Sequence, residues 1–111
     1  MKPPTSEGAR VTVDILDVPD RNRYEIREGG TVLGFAEYSR ADREIAFLHT
    51  EVGSEYAGRG LAGQLIEFAL DDARTRQDSV LPYCPFVNAY IKKHAEYVDL
   101  VPERQRSRFD L

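Results

Sequence analysis

Apolar and polar residues alternate with a period of two through the first half of this 111-residue chain, and a helical period replaces that alternation after residue 60. The β-branched run Val11-Thr12-Val13-Asp14-Ile15-Leu16 predicts a first strand. Pro19-Asp20-Arg21-Asn22 is turn chemistry, and a second strand follows from Arg23 to Arg27. Glu28-Gly29-Gly30 predicts a tight hairpin, because glycine accepts the positive φ that such turns require. The third strand, Thr31 to Ser39, is expected to carry Val32, Gly34, Ala36 and Tyr38 on one face and Leu33 and Phe35 on the other. Arg40-Ala41-Asp42-Arg43 turns the chain into a fourth strand, Glu44 to Val52, which sets Ile45, Phe47 and His49 together.

From Leu61 to Arg76, the residues Leu61, Leu65, Phe68, Ala69 and Ala73 recur at helical spacing, with Gln64, Glu67, Asp71, Asp72 and Arg74 on the other side. This is the pattern of an amphipathic helix. Ser79-Val80-Leu81 reads as a short strand, and strand, helix, strand in that order implies a right-handed crossover to a parallel neighbour. Pro85 suits the first position of a second helix, expected over Phe86 to Tyr97 with Phe86, Tyr90, His94 and Tyr97 along one side. Residues 1–9 read as a disordered lead-in, 10–100 as one domain and 101–111 as a polar, frayed tail. The fold class is α/β in layers (α+β): a four-strand antiparallel meander, then α-β-α, on a mixed sheet.

Charge and cysteine content narrow the function classes. A formal charge of −4 speaks against a protein that lives on nucleic acid phosphates or acidic membranes. The single cysteine, Cys84, leaves no internal disulfide and no Cys pair for zinc, and Cys84, His49 and His94 match no zinc-ligand spacing. With no apolar leader and no membrane-length apolar run, the expectation is a soluble cytoplasmic domain, monomer or homodimer, without a metal.

Three stretches carry candidate chemistry. Glu55-Tyr56-Ala57-Gly58-Arg59-Gly60-Leu61-Ala62 lies between a strand end and a helix start. Its two glycines let a ligand approach the backbone, and the free N–H groups of the first helical turn suit a pyrophosphate. Cys84 falls at the N-cap of the second helix, where the dipole favours a thiolate, although a free cysteine is as often a small buried apolar residue. His49 and Glu51, at the end of the fourth strand, are candidate general bases beside that loop.

His49-Thr50-Glu51-Val52, Gly58-Arg59-Gly60-Leu61-Ala62, Cys84-Pro85-Phe86-Val87, Tyr90-Ile91 and His94-Ala95-Glu96-Tyr97, in this order, resemble the short, YjdJ-type branch of the GNAT (GCN5-related) N-acetyltransferases. The resemblance spans residues 26–100. It implies a GNAT fold that binds acetyl-coenzyme A as cosubstrate. Backbone amides of Tyr56–Ala62 would wrap the pyrophosphate, and Glu51-Val52 would pair with the pantetheine arm. An amine of unknown identity would accept the acetyl group by direct transfer, with Glu51 or His49 as base, the Val52 amide polarising the thioester carbonyl and Tyr90 as proton donor. Cys84 near the thioester offers a covalent alternative route. Glu55 stands where the family loop begins with Gln or Arg, and only Pro19 to Asn22 occupies the connection in which longer relatives carry acceptor-site helices. Both departures keep open a non-catalytic acetyl-CoA or CoA sensor; a small interaction domain that has lost CoA binding is a further alternative.

Overall fold

Five strands form one sheet in chain order, β1-β2-β3-β4-β5. They are β1 (Asp14–Val18), β2 (Arg23–Glu28), β3 (Thr31–Ala41), β4 (Glu44–Val52) and β5 (Ser79–Pro82), with helices α1 (Leu61–Arg76) and α2 (Pro85–Lys93). This computed structural model describes residues 12–111, so the lead-in expected at 1–9 and Val11 of the first strand lie outside the described residues. Strands β1 to β4 pair antiparallel, and β5 joins β4 in parallel. The hairpin turns place Gly29 and Gly30 at φ 55° and 86°, and Asp42 and Arg43 at φ 43° and 64°. Positive φ at both central positions matches the turn twist to the strand twist.

The sheet register sorts side chains into rows. Asp17, Tyr24, Ala36 and Thr50 are cross-strand neighbours on one face, and so are Ile15, Ile26, Gly34 and Val52. Helices α1 and α2 lie side by side on this face. Tyr24 donates a hydrogen bond to Asp72 of α1 at 2.5 Å and meets Phe68 edge-on, while Tyr97 donates to Asp71 at 2.8 Å. Leu65, Ile66, Ala69, Leu70 and Ala73 of α1 are buried together with Ile45, Phe47 and Val80 of the sheet. Truncating such a buried leucine to alanine ordinarily costs about 2–5 kcal/mol. A polar clasp closes the β1 edge: Tyr38 donates to Asp17 at 2.6 Å and Arg40 reaches both Asp17 and the Tyr24 hydroxyl. Burial and Asp17 push the Tyr38 phenol up to about 12.

The rows Leu16-Glu25-Phe35-Glu51 and Val18-Arg23-Glu37-His49 occupy the opposite face, which neither α1 nor α2 covers. Glu25 is 1% exposed there. Burial opposes its charge, but hydrogen bonds from Arg27 and Arg23 outweigh that and hold its carboxyl below the usual range.

Four expectations are corrected. First, β1 starts at Asp14 and runs to Val18, two residues past the expected end. Second, an extra residue at Leu33 between the pairs Ile26↔Gly34 and Arg27↔Val32 breaks the alternation, burying Leu33 and leaving Val32 40% exposed. A second bulge places Leu48 between the pairs Glu37↔His49 and Tyr38↔Phe47, so His49 turns to the face opposite Phe47. Third, α2 ends at Lys93: His94 leaves helical geometry at φ −129° and Tyr97 sits in a separate 3-10 turn, Ala95–Leu100. Fourth, the C-terminal tail is packed. Residues Glu103–Phe109 form a 3-10 helix with Phe109 buried, and Asn88 donates to the Phe109 carbonyl at 3.0 Å.

Candidate active site

Strand β5 pairs with β4 only as far as Phe47↔Pro82, and the Cys84 N–H closes on the Phe47 carbonyl at 2.8 Å. Past that point β4 keeps β3 on one side and has no strand on the other. Its last residues, His49 to Val52, therefore border an opening between β4 and the start of α2.

The chain leaves β4 through a 3-10 turn, Ser54–Tyr56, and reaches α1 through Ala57-Gly58-Arg59-Gly60. Gly58 and Gly60 stand at φ 87° and 70°, and a Cβ built on either would meet nothing within 4 Å. They are glycines for backbone conformation and for open space, not because a neighbour crowds them. Gly60 is the N-cap of α1, no side chain caps the helix, and its first turn holds no acidic residue. The first helical bond runs from Gln64 N–H to Gly60 O at 3.2 Å. The amides before it have no helical acceptor, and the positive end of the dipole faces the loop.

A cavity of about 340 Å³ opens in front of these amides, lined by Val52, Tyr56, Ala57, Gly58, Gly60, Leu61, Ala62 and, from α2, Phe86. Seven of the eight residues expected to hold a cofactor thus line one concavity. The exception is Arg59, whose guanidinium turns away to Glu28 at the β2–β3 hairpin, 2.8 Å away. That hydrogen bond raises the arginine's pKa. A larger concavity, about 520 Å³ between α2 and Arg108–Asp110, lies apart from this loop and contains none of the expected site residues.

The other candidates divide between the two faces. Cys84 is buried at the N-cap of α2 with its Sγ 3.4 Å from Thr50 Oγ1, on the helix-covered face. His49 and Glu51 flank Thr50 in the chain and point the other way. Their side chains meet at 3.1 Å (Nε2 to Oε1) and both are well exposed. Tyr90 stacks on His94 with ring centroids 4.0 Å apart, and its ring edge faces Gly63 on the cavity side of α1. Burial first, then Glu67, Glu96 and Asp71, raise the Tyr90 phenol, so it stays protonated at neutral pH. Its hydroxyl has no protein hydrogen-bond partner among the described residues.

Two further glycines shape the site, and the alternation pattern alone passes over them. A Cβ on Gly34 would lie 2.6 Å from the Glu51 carbonyl and 2.8 Å from Val52 Cγ2. A Cβ on Gly53 would meet Glu55 Oε1 at 2.8 Å and the Tyr56 ring at 3.0 Å. A glycine inside a strand is itself a signal of close backbone approach, and at Gly34 that signal points to the end of β4. Gly34→Ala is expected to cost about 1–3 kcal/mol of stability through overpacking against backbone. It should also displace Glu51 and Val52, so thermal melts and ligand titration are expected to show both losses together.

Comparison with known proteins gives three results. A sequence profile described as GCN5-related N-acetyl-transferase matches residues 23–100. No curated protein matches the chain. Among solved structures, the chain is similar to the solution NMR structure of a GCN5-like protein from Staphylococcus aureus, classed provisionally among the N-acetyltransferases. The two share 24% identity and a TM-score of 0.61, over 79% of this chain and 86% of that one. Ard1 from Thermoplasma volcanium is also similar over 53% of this chain and 41% of its own, at 24% identity and a TM-score of 0.48. The Staphylococcus aureus match shows the same fold. No helix among the described residues is long and apolar enough to cross a membrane.

Proposed function

This chain belongs to the GCN5-related N-acetyltransferase family, and from that premise we propose that it moves an acetyl group from acetyl-CoA directly to a primary amine. The observation that carries the reading is the uncapped N-terminus of α1, with Gly58 and Gly60 at positive φ before it and open space where their Cβ atoms would stand. Phosphates are the ligands such a terminus suits best, since free amides and the dipole act on the same charge. The backbone of residues 56–62 would hold the pyrophosphate, and the unpaired edge of β4 at Glu51-Val52 would accept the extended pantetheine arm as a further strand. Acetyl-CoA supplies an activated thioester, and the Val52 amide polarises its carbonyl.

An alkylammonium with a pKa of about 10 must lose a proton before it attacks. Glu51 is the proposed base, acting directly or through water, because its carboxylate borders the open face while His49 only hydrogen-bonds to it. Tyr90, protonated and free at its hydroxyl, is the proposed source of the proton for the departing thiolate. Direct transfer is favoured over an acetyl-cysteine route by the placement of Cys84. Its thiol is buried against Thr50, on the face opposite the proposed base.

Steady-state kinetics with acetyl-CoA and an amine panel test this reading. Intersecting initial-rate patterns are expected, and Cys84→Ala should keep the transfer rate within about threefold of wild type, the scale of a modest packing change. Parallel-line patterns with an acetyl adduct on Cys84 by mass spectrometry would establish the covalent route instead.

A further inference from the structure

A second cavity, about 260 Å³, opens on the sheet face away from α1 and α2, and it contains the two carboxylates Glu51 and Glu55. Phe35 forms part of its wall, with the Arg23 guanidinium 4.4 Å from the centre of that ring. Arg23, which is itself part of the wall, is bound to Glu25 at 2.7 Å, and Glu25 also holds Arg27, so both guanidiniums are directed to Glu25 and not to the two cavity carboxylates. Among the described residues the Glu51 carboxylate pairs with His49 alone, and Glu55 forms no ion pair.

Gly53 and Tyr56 border this cavity and the donor cavity alike. The two concavities therefore stand back to back across the turn that ends β4, where a donor and an acceptor must approach each other. Glu55 belongs to one side of that wall only. It folds back over Gly53 into the second cavity, whereas Ser54, Tyr56 and Ala57 around it line the donor cavity.

We propose that this second cavity is the acceptor site and that Glu55 is its specificity residue, selecting with Glu51 a small, unbranched primary alkylammonium and rejecting amines that carry a carboxylate. The inference rests on the acetyltransferase reading for its role in a reaction, but the binding site stands on its own geometry. A volume below the usual 300–1,000 Å³ of small-molecule pockets limits the acceptor to a slender chain. Two carboxylates that no lysine or arginine pairs with among the described residues favour positive charge and repel a third negative group. Phe35 gives the methylene stem an apolar surface.

The matched probes are 1,4-diaminobutane and 4-aminobutyrate, which share a four-carbon chain and differ in the charge at one end. Amide NMR titration of the full chain is expected to show the diamine shifting Phe35, Glu51, Glu55 and Tyr56, and binding at least about tenfold tighter than 4-aminobutyrate. Glu55→Gln, nearly isosteric and in an exposed turn, should weaken the diamine about tenfold, narrow the gap between the probes and leave acetyl-CoA affinity within twofold. Equal binding of the two probes, no binding of either, or a Glu55→Gln effect on acetyl-CoA instead of on the diamine would overturn the proposal. If acetyl-CoA and the diamine both bind but no acetyl group is transferred, the acceptor cavity stands and the catalytic reading fails.

Discussion

Gly60→Asp abolishes acetyl-CoA binding while the protein remains folded: this is the largest single effect expected. Gly60 holds φ 70° at the N-cap of α1, and its missing side chain faces open space. An aspartate there would place a carboxylate in front of the loop amides and compete for them as an intramolecular anion. Loss of two charge-assisted hydrogen bonds to a phosphate corresponds to a weakening on the order of a hundredfold or more. The conformational cost is small by comparison, about 1 kcal/mol for a non-glycine residue in the left-handed region, where aspartate is among the better tolerated. For a chain of this size that is a fall of about 4–8 °C in melting temperature. Gly60→Ala is the control, since it carries at least the same backbone cost without the charge. Calorimetry should find most of the binding retained in the alanine variant and lost in the aspartate variant. Equal loss in both would mean that loop conformation, not anion recognition, governs the site.

Glu51→Gln is expected to lower the rate of transfer about a hundredfold, at the lower end of what a positioned general base contributes, with acetyl-CoA affinity within twofold. The pH profile separates this role from a structural one. A primary amine deprotonates on its own as pH approaches about 10, so the deficit of the variant should shrink steadily between neutral pH and that value. A structural defect would leave the deficit constant with pH. His49→Gln should cost far less, because His49 lies in the next row and acts on the reaction only through its 3.1 Å contact with Glu51.

Much of the fold was legible because local rules and tertiary packing agree along most of the chain. The stripe from Leu61 to Ala73 gives α1 its observed bounds, and Gln77, at φ 62°, ends the helix with its N–H returned to the preceding turn. Gly29-Gly30 marks the hairpin, and Pro85 starts α2 with Cys84 at the N-cap. What alternation could not supply was the pair of bulges. One extra residue at Leu33 and another at Leu48 invert the faces beyond them, and nothing in the composition of those strands signals the insertion. The second bulge matters more for chemistry. It moves His49 and Glu51 together out of the row of Ile45 and Phe47 and turns Thr50 toward Cys84. The sequence places Cys84, His49 and Glu51 near one another along the fold, and the sheet separates them onto two faces.

The tail departs from its sequence pattern for a different reason. Glu103 to Arg108 is polar in six successive residues, which reads as solvated chain, yet Phe109 just after them is buried beside Tyr83 with ring centroids 5.2 Å apart. One apolar anchor and a few backbone bonds suffice to order a short segment against an existing surface. Likewise, the loop of residues 56–62 was legible from its glycines, but the direction of the Arg59 side chain depends on Glu28, thirty-one residues earlier in the chain.

The most direct test of the central claim, that the loop before α1 is an acetyl-CoA site, is an amide NMR titration of the full chain with acetyl-CoA and then with CoA. Shifts confined to residues 51–62 and to the start of α2, saturating with both ligands, are the expected result. The absence of any shift at millimolar ligand would contradict it and remove both the catalytic and the sensor readings of this fold.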